Sequence, residues 1–314
     1  MNGVKRALWY PVAMRSLLLL LGLLTAASAQ DVFIGGRADL EATVGAKTRF
    51  DFGRNAGLDL TFIKPGQLDA YADISVAGGS VRLQELYLKL PQTRRVVDVT
   101  VGRFLLPHGD PNTRAEERYA AGARDLFTSY DDWRLGNCLL DTDANGLLLE
   151  RALGSPRGVS LSGALYGVQV PGDNFAYGAR LMGSWRGWRV GGSWYDGADR
   201  AGANAWQAVA FAAWTGAGVE VSGQAYFGAA TGGEHHGQLL RAAYTLPART
   251  RVPLDLFASR TTYDEDLRAG VATTRLGVGW RFGQFYRAEL RYEINEAPGT
   301  VGHDAGVARL TAVF

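Results

Sequence analysis

Only one cysteine, Cys138, occurs in 314 residues, so no internal disulfide can form and a disulfide-stapled scaffold is excluded. Long apolar runs are scarce as well. The run from Leu17 to Leu24 is too short to span a bilayer, and nothing after residue 30 approaches the roughly 20 apolar residues that a transmembrane helix needs. A helical membrane protein is therefore excluded. Net charge is small: 33 basic residues stand against 31 acidic ones, and without Lys5, Arg6 and Arg15 the balance is 30 against 31, or −1. No concentrated basic face follows from that balance, so nucleic acid is not an expected partner. Lysine is nearly missing beyond residue 30, where only Lys47, Lys64 and Lys89 occur.

What is present begins with a leader. Lys5, Arg6 and Arg15, the run Leu17 to Leu24 and then Ala27-Ser28-Ala29 have the three-part layout of a secretory signal peptide, which predicts a signal over 1–29 and a mature chain over 30–314 starting at Gln30. The 41 glycines and plentiful Trp and Tyr suit β-structure with tight turns.

Alternation then takes over. In a strand successive side chains face opposite sides, so a wall between lipid and water reads apolar on one parity and polar on the other. Val32, Ile34, Leu40 and Val44 alternate with Arg37, Asp39 and Glu41. Arg49 to Ile63 sets Phe50, Phe52, Leu58, Leu60 and Phe62 against Asp51, Asn55 and Asp59, with Arg54 out of phase. Asp69, Tyr71 and Asp73 oppose Ala70, Ala72 and Ile74; Glu85, Tyr87 and Lys89 oppose Leu86, Leu88 and Leu90; Asp98 and Thr100 oppose Val97, Val99 and Val101. That phase carries Arg103 onto the lipid side, which predicts a slip or a strand end near Gly102. Strands over 146–152 and 159–170 are blurred by Gly and Leu on both parities. Nine further strands follow, over 175–187, 187–196, 204–216, 217–229, 236–247, 251–263, 272–283, 285–295 and 304–314. The clearest sets Tyr286, Ala288, Leu290, Tyr292 and Ile294 against Arg287, Glu289, Arg291 and Glu293.

The count is about sixteen, and short connections such as Arg186-Gly187, Thr215 to Ala217 and Gly283-Gln284 alternate with longer ones such as 196–203, 229–235, 263–272 and 295–304. Both features predict an all-β, transmembrane antiparallel barrel embedded in outer-membrane lipid. Trp206 and Trp214 share a parity eight residues apart, roughly 20 Å along the membrane normal, which fits two aromatic girdles. Trp185, Trp188, Trp280 and Tyr286 flank predicted turns. The chain ends on Phe314, the residue expected to engage the barrel-assembly machinery.

One long interruption, 105–144, falls on the side of the longer connections, where insertions of this length are usually functional. Eight acids, Asp110, Glu116, Glu117, Asp125, Asp131, Asp132, Asp141 and Asp143, face four arginines, Arg114, Arg118, Arg124 and Arg134, for a net charge of −4. Thr113 with Glu116 forms a capping box that predicts a short helix over 114–121. On the water-facing parity of late strands and the first strand stand Arg37, Arg241, Arg275, Arg281, Arg287, Arg291 and Arg309, with Glu289, Glu293, Asp39 and Glu41 among them. An inward-folded acidic loop opposite an arginine wall would constrict the lumen and select solutes by charge, size and dipole. Simple solvation of a wet wall is the plainer alternative for these charges.

The four histidines, His108, His235, His236 and His303, are expected in loops. Nothing in their spacing sets up a catalytic group. His235-His236 point to opposite sides, so neither a metal nor another cofactor is expected. About sixteen strands leave an aqueous channel, which weighs against a plugged structural barrel.

The residues Gly102-Arg103-Phe104, Pro107 with Gly109, Asp132-Trp133 and Asn145-Gly146 resemble bacterial outer-membrane porins, most closely the phosphate-selective porin O/P type. That resemblance implies bacterial outer-membrane localisation, a homotrimer of sixteen-stranded barrels, and a third external loop folded inward. It implies passive diffusion of small polar solutes and ions, or an anion or phosphate channel. The shortage of lysine departs from the phosphate type. A plugged barrel and an outer-membrane enzyme remain the other readings.

Overall fold

The computed structural model describes residues 31–45, 48–52, 56–64, 68–77, 80–91, 97–109, 143–154, 158–170, 174–198, 203–230, 233–246, 254–265, 268–282, 286–296 and 304–313. The leader, most of the long insertion, Cys138, His303 and Phe314 lie outside the described residues.

Seventeen antiparallel segments form one closed sheet: β1 (Asp31–Val44), β2 (Arg49–Phe52), β3 (Ala56–Lys64), β4 (Leu68–Ala77), β5 (Ser80–Leu90), β6 (Asp98–Leu105), β7 (Asp143–Gly154), β8 (Ser160–Val170) and β9 (Asn174–Trp185), followed by β10 (Trp188–Ala198), β11 (Asn204–Gly216), β12 (Val219–Ala230), β13 (Gly233–Thr245), β14 (Leu254–Glu265), β15 (Arg268–Phe282), β16 (Tyr286–Glu296) and β17 (Ala305–Val313). The ring closes where β1 pairs with β17, Leu40 across from Leu310. β2 and β3 both pair with β1 and share one place in the wall. Leu40 meets Phe52 and Arg37 meets Gly57, so three steps on β1 match five on its neighbour. Seventeen segments less one shared place give sixteen wall strands, as the alternation predicts.

Parity sorts the wall. On β11 Trp206, Ala210 and Ala212 face outward while Gln207, Val209, Phe211 and Ala213 are buried inward. On β16 Tyr286, Leu290 and Tyr292 are exposed outside while Arg287, Glu289 and Arg291 are buried inside. Such a wall suits lipid outside and polar contents within. Aromatic rings gather at both ends of the outer face. Trp188 and Trp214 lie 6.5 Å apart at one end, with Trp280, Phe282 and Tyr286 in a row at the same end. Tyr177 and Trp194, 5.5 Å apart, mark the other.

Tight turns define the first of these ends. Arg186-Gly187 and Ala217-Gly218 both have positive φ, 46°, 85°, 50° and 79°, the backbone of a type I′ hairpin whose twist matches its strands. The carbonyls of Gly187 and Gly218 accept from Thr215 N–H and Thr245 N–H of the next hairpin, at 2.9 and 2.8 Å.

The structure corrects several boundaries. No slip occurs at Gly102: the ladder runs through Leu86↔Arg103 and Phe104↔Ala144, so Arg103 stays on the outward parity and β6 ends only at Leu105. Gly102 continues the ladder at φ 133°, a backbone that glycine adopts without a Cβ clash. Leu105, Asp143 and Ala144 belong to strands, not to the insertion, because Leu105 pairs with Asp143 and its N–H donates to Glu85 Oε1 at 2.6 Å. Two expected long connections, 229–235 and 263–272, contract. Ala230 pairs with Gly233 and Glu265 with Arg268, and His235 and His236 therefore sit in β13, not in a loop.

Candidate functional site

The inner face divides into three regions, each set by the inward parity of a run of strands. On β13–β17 it is ionic. Glu293 Oε1 accepts from Arg275 Nε at 3.0 Å and from Arg291 Nε at 2.6 Å; Arg291 reaches on to Glu289 at 2.9 Å, and Arg287 lies 3.4 Å from the same Glu289. A chain of alternating charge thus climbs β15 and β16. Beside it Arg281 donates to buried Asp255 at 3.3 Å. Arg241 is buried on β13, and Arg309 stands in register with Glu289 and Glu41. Arg37 holds its place in β1 across from Val313 and Gly57, its side chain outside the described residues. Six of these seven arginines thus share the inward face of β13–β17, interleaved with carboxylates.

A second region, on β4–β9, was not assembled by the sequence reading. Its inward positions carry Asp69, Asp73, Glu85, Asp98 and Glu150 with Lys89 and Arg180. Lys89 lies 3.4 Å from Asp98 and 3.5 Å from Glu150, and Arg180 is 3.7 Å from Glu150. Asp73 and Glu85 stand directly across the β4–β5 ladder from each other and are both buried. Their parity was readable strand by strand, but closing the ring was needed to see that they share one arc opposite the arginines. Counted over inward side chains among the described residues, β13–β17 carries six arginines (241, 275, 281, 287, 291, 309) against three carboxylates (255, 289, 293), or +3. The arc on β4–β9 has five carboxylates against two bases, or −3.

The third region is apolar, and it seats the start of the insertion. Phe104 and Leu106 pack inward with Leu148, Tyr166, Val168 and Tyr195. Burying Leu106 alone is worth about 2 kcal/mol. The Leu106 carbonyl then accepts His108 N–H at 2.8 Å, closing a γ-turn around Pro107, whose ring holds φ near the roughly −75° that this turn prefers. Gly109 follows with φ 81°, and a Cβ there would also press on Gln224 Oε1. Each residue of the Pro107-x-Gly109 pair therefore has a backbone reason.

His108, 1% exposed, is held at both ring nitrogens. Its Nε2 lies 2.8 Å from Gln207 Oε1, an acceptor, so Nε2 carries the proton. Nδ1 lies 3.2 Å from the Ser193 hydroxyl, and Ser193 Oγ accepts Gly109 N–H at 2.8 Å. Gln207 Nε2 reaches His235 Nε2 at 3.4 Å. The result is a buried latch that ties the insertion's first residues to β10, β11 and β13. Although Ser193 and His108 are adjacent, the far nitrogen of His108 meets an amide, not a carboxylate, and both side chains are buried. His236, next to His235, faces outward and exposed, so the pair splits across the wall as expected.

Of the predicted constriction residues, Asp110, Glu116, Glu117, Asp125, Asp131, Asp132 and Asp141 lie outside the described residues, as does the predicted helix over 114–121. Asp143 opens β7.

No family model matches the chain, and no curated protein is found similar to it. Solved structures do match. A loop-deletion form of OmpT, an outer membrane protein of Vibrio cholerae, superposes with a TM-score of 0.64 at 12% identity, covering 90% of this chain and 99% of that one. The anion-selective porin from Comamonas acidovorans gives 0.64 at 14% identity with the same coverage. The outer membrane channel DcaP of Acinetobacter baumannii gives 0.64 at 11%, covering 90% and 97%. At these identities the likeness establishes the fold: this chain has the porin barrel fold.

Proposed function

We propose that this protein is a bacterial outer-membrane porin that passes small hydrophilic solutes and ions by passive diffusion, as a homotrimer and without catalysis. The observation that carries the reading is the closed sixteen-strand wall whose inner face bears a −3 arc on β4–β9 and a +3 arc on β13–β17. A barrel of this width encloses water, and fixed charges along its wall act on whatever permeates. The latch at His108 supports an insertion that starts inward, with its acids contributing to the constriction. The outer face and its two aromatic ends support the membrane setting, and the trimeric OmpT of Vibrio cholerae, 9% identical over 90% of the chain, supports the oligomer.

Anion selectivity is the second reading. It is favoured by the excess of arginine on β13–β17 and by the anion-selective porin among the structural neighbours. Phosphate as the specific solute has less support, because Arg275 and Arg291 share Glu293 and so are engaged before any solute arrives. Planar-bilayer conductance with the reversal potential in a salt gradient tests both readings. Large, weakly selective conductance is expected. A small anion-selective conductance blocked by phosphate would replace the first reading with the second, and no conductance from folded protein would overturn both.

A further inference from the structure

The outer face of β7–β11 is not filled as the rest of the wall is. On β13–β17 outward positions carry Leu240, Leu256, Leu276, Leu290 and Leu310, all exposed. On β8–β10 outward positions Gly163, Ala179 and Gly192 form a low floor. Around it rise Leu149, Leu165, Leu181 and Trp194, enclosing an apolar depression of about 670 Å³. Register places these residues together: Leu149 pairs with Leu165, Leu165 with Ala179 and Ala179 with Trp194, while Arg151 pairs with Gly163 and Leu181 with Gly192.

The barrel's own packing does not require a glycine at 163. Its φ is not positive, and a Cβ there would come no closer than 3.7 Å to the Arg180 carbonyl. The missing side chain leaves space on the outside only. A void in a lipid-facing wall forfeits dispersion contacts unless something occupies it.

Arg151 indicates the occupant. It lies on the outward parity of β7, exposed, three residues above Gly154 at the turn end of the barrel. Among the described residues it makes no ion pair. From there its guanidinium can extend to the membrane interface. A second copy in the same membrane would keep the same end down, so its partner for Arg151 would have to be an outward acid at the turn end. The outward carboxylates described, Asp196, Glu234, Glu296 and Asp304, all stand at the opposite end. A phosphodiester at the interface supplies the missing charge.

We propose that this depression is a phospholipid site, with one acyl chain lying over Gly163, Ala179 and Gly192 and the headgroup phosphate on Arg151. The proposal rests on the membrane setting argued above. It is tested by native mass spectrometry of the detergent-purified, folded protein incubated with palmitoyl-oleoyl phosphatidylglycerol, comparing wild type with Gly163→Leu and Arg151→Gln. Wild type should retain one lipid through collisional activation. Arg151→Gln should lower retention about tenfold, as loss of one charge-assisted bond does, and Gly163→Leu should abolish it. Ala179→Leu fills the same floor should the first variant not fold. Retention unchanged in either class of variant overturns the proposal, as does a change in protomer number on filling the floor, which would place a second copy there. Bilayer conductance of the same samples should be equal in all, since none of these residues lines the lumen. Loss of conductance in wild type with lipid retention intact would refute the channel reading alone.

Discussion

Replacing His108 by alanine should release the start of the insertion. The substitution removes the bond to Gln207 and the bond from Ser193, at 2.8 and 3.2 Å. In the docked state Gln207 Oε1 and the Ser193 hydroxyl are then buried without those partners, at a cost of about 1–3 kcal/mol each. Undocked, both groups are hydrated and the cost vanishes. The docked-to-undocked ratio should therefore fall by a factor between about 30 and about 2 × 10⁴, taking roughly 2–6 kcal/mol at 1.4 kcal/mol per tenfold. On the proposed channel reading, single-channel recording shows this as added current noise with short-lived conductance steps. Trypsin sensitivity at Arg114, Arg118 and Arg124 gives a second measure. A paired substitution sharpens the test: His108→Leu with Gln207→Leu replaces both partners by apolar groups, a change that can be nearly neutral, and it should restore most of the quiet conductance. Wild-type noise in His108→Ala, or a double variant as noisy as the single one, would refute the latch.

Glu293→Gln should cost roughly 3–5 kcal/mol, because Arg275 and Arg291 are both buried and would lose a shared carboxylate; the denaturant midpoint of the refolded barrel checks it, and the reversal potential should move toward anions. Gly102→Ala should block assembly, since the added Cβ would drive into the backbone of Leu86 and Tyr87 at a φ of 133°; absence of the heat-modifiable folded band on gels is the expected result, and a normal band would show that β5 can yield. Ala217→Gly should stabilise by about 0.5 kcal/mol, because relief of a left-handed alanine at about 1–2 kcal/mol is partly offset by glycine's extra freedom in the unfolded chain. An unchanged or lower denaturant midpoint would contradict that balance.

Most of the wall is legible because a sheet with one apolar and one polar face imposes period two on every strand it contains. β16 shows this at its plainest, with arginine and glutamate inside and Tyr286, Leu290 and Tyr292 outside. The signal failed at β7 and β8 for an identifiable reason. Leu148, Tyr166 and Val168 point inward yet are apolar, because they face Phe104 and Leu106 and not water. Both faces of these strands are therefore apolar, and alternation disappears where a second layer covers the wall. The hairpin at 263–272 is shorter than its charged residues suggest, because Asp264 and Glu265 continue β14 across from His236 and His235, and Glu265 also pairs with Arg268. The latch was illegible for another reason: His108, Ser193, Gln207 and His235 are joined only by the ring's closure, over separations of 85, 99 and 28 residues.

The two arcs and the insertion together lead to one signed prediction. On the proposed reading, an ion on the axis is attracted by one arc about as strongly as it is repelled by the other, because −3 and +3 cancel to first order. The walls alone should then orient dipolar solutes while discriminating weakly between cations and anions. With Asp143 assigned to β7, the insertion adds three negative charges by its sequence, seven acids against four arginines, so with its start docked the balance should favour cations. Releasing it through His108→Ala should shift the reversal potential toward anions, in the same recordings that show the added noise. A potential that stays fixed while the noise rises would mean that the acids of the insertion lie off the permeation path, and that the walls set selectivity unaided. Charge reversal at Arg287 or Arg291 should then move the potential more than reversal at Asp131 or Asp132.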